Sequence, residues 1–142
     1  MSTEDNKRVV RLVEEAWDGQ KVGELDQHFS QKFDNSATAV PGMPAGLEGA
    51  KMAHQASMQA MPDRKVTIED LVAEGDRVVV RTRVRGTNTG GFSWLGIPAN
   101  GNKVDIESIS IYRLADGKIV EHRALNDVMS LMMQLGAIPP MG

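Results

Sequence analysis

Two tight-turn signals constrain this chain more than any other feature. Glu74-Gly75-Asp76 separates the runs Val66–Ala73 and Arg77–Arg85, and Asp116-Gly117 separates Lys103–Leu114 from Lys118–Leu125. Gly and Asp supply the left-handed backbone that short hairpin loops require, so each signal predicts a pair of antiparallel neighbours. Ahead of these strands the periodicity is helical. Val9, Val13, Ala16 and Trp17 recur at helical spacing, and Gly19 can end that helix. Leu25 and Phe29 lie four apart and predict a shorter second helix, with Phe33 after it. The stretch from Asp34 to Gly46 contains Pro41, Gly42 and Pro44 and reads as a loop. Leu47, Ala50, Ala53, Ala56 and Ala60 mark a third helix that Pro62 stops. A glycine-rich connection runs from Thr87 to Asn102. A last helix follows Asp127, carrying Val128, Leu131, Met132 and Leu135, with Gly136 at its end and Pro139-Pro140 beyond. Three helices, four strands and a short helix in that order predict an α+β fold, with helices on one face of an antiparallel sheet.

The strand faces carry the functional signal. In the simplest registers, Arg85, Arg83, Arg81 and Val79 share a face and sit opposite Asp105, Glu107, Ile109 and Ile111, pairing cations with carboxylates. The other face presents Val84, Thr82, Val80 and Val78 against Ile106, Ser108, Ser110 and Tyr112, and the next strand adds Val120, His122 and Ala124. Hydroxyls and a histidine among apolar groups suit a small-molecule pocket, where a few polar groups fix orientation. The alternative is a core whose hydroxyls bond locally to backbone. The charged face is then solvent or a subunit interface. Ile109, Ile111 and Val79 form an apolar patch on it, which predicts a homodimer or homotetramer.

Composition removes other classes. The 142 residues suit one domain, residues 1–142. Sixteen Lys+Arg against nineteen Asp+Glu give a net charge of −3, which argues against nucleic acid as a partner. With no cysteine there is no thiolate nucleophile, and His28, His54 and His122 lack metal-ligand spacing, so no metal site is expected. No apolar run approaches a membrane span, and the N-terminal MSTEDNKR has no apolar stretch behind it; a cytoplasmic protein without membrane association is expected.

Several motifs together resemble the SnoaL-like polyketide cyclases (ester cyclases). They are Glu69-Asp70-Leu71-Val72-Ala73-Glu74-Gly75-Asp76-Arg77-Val78-Val79-Val80-Arg81, Gly86-Thr87-Asn88-Thr89-Gly90, Gly96-Ile97-Pro98 with Asn100-Gly101, and Asp116-Gly117-Lys118-Ile119-Val120-Glu121-His122. Asn126-Asp127 and Gln134-Leu135-Gly136 close the series. Asn88 stands where many relatives carry histidine, and Ser110 where some cyclases do. The resemblance implies a cone-shaped barrel of the nuclear transport factor 2-like type, a curved antiparallel sheet with N-terminal helices on its concave face. It also implies intramolecular aldol condensation of a small hydrophobic polyketide-like substrate by acid/base chemistry, with no cofactor. Related members hydroxylate such substrates.

Asp127 resembles the family's acid/base aspartate. One carboxylate is enough to deprotonate a methylene between two carbonyls and return the proton to the new alkoxide. As the residue directly before a helix, it equally suits an N-cap, and strict alternation places it on the face opposite His122. His122, beside Ser110, could orient a substrate carbonyl or tune Asp127; it could also be a satisfied, partly buried side chain. Asn35 resembles a pocket asparagine that donates to an enolate oxygen, and as a loop asparagine it also suits a turn. Ser110 and Tyr112 lie on the pocket face. Trp94 either caps the pocket or covers an interface, and Met132, with Met129 and Met133, either lines a pliable mouth or fills core. Two further readings stand beside the cyclase: a binding module for an apolar metabolite, and another enzyme on the same fold, such as an isomerase or dehydratase. A hydrolase would need two carboxylates bracketing an arginine in the pocket, and the strand arginines face the other way.

Overall fold

The computed structural model describes residues 1–35 and 42–140. Pro41, part of the expected loop, lies outside the described residues. Helix α1 spans Thr3–Asp18, and Ser2 and Asp5 form a reciprocal capping box at its start. Asn6, Val10, Val13 and Ala16 fall three or four apart and are buried. Instead of a second helix, two 3₁₀ turns (Val22–Glu24 and Asp26–His28) lead into strand β1, Phe29–Asp34. The four-residue spacing of Leu25 and Phe29 marks two contacts with one core, made from a turn and from a strand. Helix α2 spans Gly46–Ala60. Strands β2 (Lys65–Glu74), β3 (Arg77–Thr87), β4 (Lys103–Ala115) and β5 (Lys118–Asn126) follow, and α3, Val128–Gln134, comes last.

The sheet has five strands in the order β1-β5-β4-β3-β2. β1 pairs with β5 in parallel, so the sheet is mixed, and it does not close into a barrel because β1 and β2 form opposite edges. The central register matches the sequence expectation: Val78, Val80, Thr82 and Val84 oppose Tyr112, Ser110, Ser108 and Ile106. β4 alternates buried and exposed residues along most of its length, as a strand with one covered face must. Besides a register shift in β1 between Phe29 and Asp34, two bulges break the pattern elsewhere, one in β2 between Ile68 and Asp70. The other sets Leu114 opposite Ile119 and leaves Val120 as the extra residue, so Ile119 is buried and Val120 departs from its expected place on the inner face.

α1 lies against β2 and β3, α2 against β1, and α3 against β4. Two apolar clusters fill the covered side. One joins Val10, Val13, Leu25, Phe29 and Phe33 to Val78, Val80, Tyr112, Leu114 and Ile119. The other joins Ala60, Met61, Phe92 and Ile97 to Val104, Ile106 and Leu135. Along the central strands, the inward positions between these clusters are Thr82, Ser108 and Ser110. No helix among the described residues is long and apolar enough to cross a membrane.

Candidate active site

A cavity of about 320 Å³ occupies that gap. Its sheet wall is Val84, Thr82, Ser108, Ser110, Tyr112, His122, Ala124 and Asn126. Opposite, α2 contributes Gly49, Ala50, Ala53, His54 and Ser57, mostly small side chains that cannot reach the sheet. The cavity therefore follows from composition: a helix with alanines at its inward positions faces a row of hydroxyls. Trp17, Phe29 and Phe33 add aromatic walls.

The ionisable groups of the cavity come from five different segments. Glu14 of α1 accepts a hydrogen bond from the Tyr112 Oη at 2.6 Å. Burial pushes its carboxyl above the ordinary range, against the opposing pull of the Tyr112 hydrogen bond and the nearby Arg64 charge. Tyr112 is buried and its phenol is held well above the usual range, first by burial and then by Glu14. The His122 ring stacks on Tyr112, with centroids 4.4 Å apart and planes inclined by 15°. Burial lowers His122 to about 4, so its imidazole is neutral at physiological pH. His54, against Trp17 at 4.8 Å, is also lowered to about 4, by burial first and then by the Arg64 charge. Arg64, between α2 and β2, completes the set. Among the described residues, nothing gives a hydrogen-bond partner to the buried His54 Nε2, His122 Nε2, or Arg64 Nε and Nη1. Groups of this kind commonly await a ligand or ordered water.

Of the sequence-derived candidates, His122, Asn35, Ser110 and Tyr112 all line this cavity. Asn35 follows β1, not a helix, and its Oδ1 accepts from the Gly46 N–H at 3.0 Å. Three candidates lie elsewhere. Asp127 caps α3: its carboxylate accepts from the Ser130 N–H at 3.1 Å and the Ser130 hydroxyl at 2.7 Å. These bonds, the hydroxyl's first, lower its pKa, the reverse of the rise expected for a carboxyl buried in the cavity. Strand alternation continues to the end of β5, so Asn126 lines the cavity and Asp127 does not. Trp94 is 41% exposed and packs on Phe92 with centroids 5.2 Å apart, and Met132 packs on the second apolar cluster.

Sequence reasoning missed Glu14 and Arg64. Glu14 had a legible signal, because it sits four residues after Val10 and three before Trp17, a carboxylate interrupting an apolar stripe. Arg64 had none, since it follows a helix-ending proline outside any periodic pattern. The strand arginines Arg81, Arg83 and Arg85 do face away from the cavity, in ion pairs, and Arg64 reaches it from outside the strands. The hydrolase condition is half met, because Asp18, the second carboxylate near Arg64, is held by the Val66 N–H at 2.7 Å.

The model of the SnoaL-like polyketide cyclase family matches residues 7–135. Among solved structures, TsrD from Streptomyces laurentii is 27% identical with a TM-score of 0.85, covering 97% of this chain and 99% of TsrD. A candidate polyketide cyclase from Bacillus cereus is 30% identical with a TM-score of 0.81, over 97% of this chain and 87% of that one. A candidate SnoaL-like polyketide cyclase from Jannaschia sp. CCS1 is 27% identical with a TM-score of 0.81, over 96% and 95%. No curated protein matches. With its helices packed on an open five-stranded sheet and a family match over nearly its whole length, the chain belongs to the SnoaL-like polyketide cyclase family.

Proposed function

We propose that this protein is a cytoplasmic, cofactor-independent cyclase that closes a ring in a small polyketide-like substrate by intramolecular aldol condensation. The carrying observation is the cavity itself, which brings aromatic and alanine walls, a hydroxyl row and the buried Arg64 N–H groups together. Apolar walls exclude water and fold the chain so that carbon nucleophile and carbonyl meet. Such positioning lowers a barrier by up to about 7–11 kcal/mol. His122, Asn35, Ser110 and Tyr112 are the polar contacts for the substrate oxygens. The test is incubation with an aromatic poly-β-ketoester. Ring closure is expected at unchanged mass, or with loss of one water, and absence of both cyclisation and binding overturns the reading.

One observation favours a second reading, a non-catalytic binding module. The aspartate that resembles the family's acid/base is occupied as a helix cap. Tight binding of the ketoester with no turnover supports this alternative.

We also infer a homodimer formed through the outer sheet face. There Ile109, Ile111, Val72 and Leu125 are exposed beside ion pairs of Arg81 with Asp70 and of Arg83 with Asp105. A second copy docked through the same face would cover them.

A further inference from the structure

We propose that Glu14 is the acid/base catalyst of this cavity and that Arg64 receives the enolate oxygen formed when it removes a proton. The inference deepens the carbon-acid chemistry proposed above and rests on that reading. Glu14 is a carboxylate lining the cavity, and there it accepts a hydrogen bond from a hydroxyl, Tyr112 Oη at 2.6 Å. A donated hydrogen bond stabilises the carboxylate form, and an apolar surround favours the neutral form. A group poised between the two can both take and return a proton. Arg64 lines the same cavity with two unpartnered N–H groups and is the cation that acts electrostatically on Glu14. A cation with free donors stabilises an oxyanion most where water is excluded.

The step balances within the substrate. The Glu14 carboxylate takes the proton of a carbon between two carbonyls, and the C–H electron pair moves onto the carbonyl oxygen as an enolate facing Arg64. The enolate carbon then bonds to a second carbonyl carbon, whose π electrons become an alkoxide. Glu14 returns its proton to that oxygen. No oxidant or second reactant is consumed.

The groups that tune Glu14 come from every element around it. Asp18 of α1 adds negative charge, although its carboxylate also holds the Val66 N–H and lies 4.0 Å from Lys65 Nζ. His54 of α2 and His122 of β5 also line the cavity, and their imidazoles are neutral at physiological pH. Arg64 before β2 and Tyr112 of β4 favour the carboxylate.

The test uses nitrobenzisoxazole, a flat carbon acid unrelated to polyketides. Loss of its ring C–H proton to a base breaks the N–O bond and releases a coloured cyanonitrophenolate. The whole protein is expected to accelerate this reaction, with a rate that rises through one ionisation above the ordinary carboxylate range. Glu14→Gln should lower kcat/KM by about 10²-fold or more. Glu14→Asp should retain part of the rate, and Glu15→Gln on the exposed side of the helix should match wild type. Tyr112→Phe should move the ionisation upward, which a purely structural contact would not do. No acceleration by the wild type, or an unchanged rate in a folded Glu14→Gln variant, overturns the proposal. If Glu14→Gln does not fold, an unshifted ionisation in Tyr112→Phe overturns it. Because the probe is not a polyketide, catalysis of its opening without ketoester turnover would defeat the proposed substrate class and leave Glu14 standing.

Discussion

Asp127 holds the first turn of α3 through its carboxylate. As a cap bonded to the N–H and hydroxyl of Ser130, it should tolerate Asp127→Asn with little change in melting temperature, since Asn caps as well as Asp. Asp127→Ala should lower the melting temperature, and calorimetry separates the two. A catalytic role would instead show as lost turnover in Asp127→Asn at unchanged stability. His122 gives a pH prediction. Its pKa falls from an ordinary 6.5 to about 4 on folding, so between those values the unfolded chain binds more protons. Its contribution to stability is present above 6.5 and is lost as pH falls towards about 4, by up to about 3 kcal/mol. His54 acts in the same direction, and Glu14 acts oppositely above its ordinary 4.5. Melting temperatures over this range should therefore fall more steeply for wild type than for His122→Phe, which keeps a ring on Tyr112. The site was legible where alternation alone decides, at Ser110, Tyr112 and His122. It was illegible at Arg64, whose side chain reaches the cavity from a segment with no period.

At the scale of elements, the glycine-rich connection is organised by one amide. Asn88 is fully buried; its Nδ2 donates to the Pro98 carbonyl at 3.0 Å and to Asn100 Oδ1 at 3.1 Å, and its Oδ1 accepts from the Gly91 N–H at 2.9 Å. Asn100 and Asn102 then donate to the carbonyls of Leu135 and Gln134, capping the end of α3. Asn88→Ala strands buried polar groups and should cost about 1–3 kcal/mol in urea unfolding. Gly90 tolerates nothing larger, because an added Cβ would lie 1.7 Å from the Gln59 carbonyl oxygen. Thus Gly86-Thr87-Asn88-Thr89-Gly90 and Gln134-Leu135-Gly136 are two ends of one hydrogen-bonded structure. The hairpins were legible because turn residues and alternation agree over β3, β4 and β5. β1 was not, because its inward residues Phe29 and Phe33 are spaced by four, which fits a helix as well as a strand.

For the whole molecule, the outer sheet face carries the proposed dimer. Ile109 is 47% exposed and Leu125, its neighbour across the strands, is 82% exposed, and ion pairs border them. Exposed ion pairs add little stability to one chain, but they can orient two copies. Light scattering at micromolar concentration should give twice the chain mass, and Ile109→Asp should give a single chain that keeps its cavity. A wild-type monomer would refute the dimer. The bulge in β2 bears on assembly too. β2 is an edge strand, and a flat edge offers free backbone groups to any passing strand. Here the bulge interrupts the ladder between Ile68 and Asp70, and Lys65, Glu69, Asp70 and Glu74 put charges along it. Growth of the sheet from chain to chain, the route to fibres, is therefore discouraged at that edge, and an open sheet can persist as a discrete particle without closing on itself.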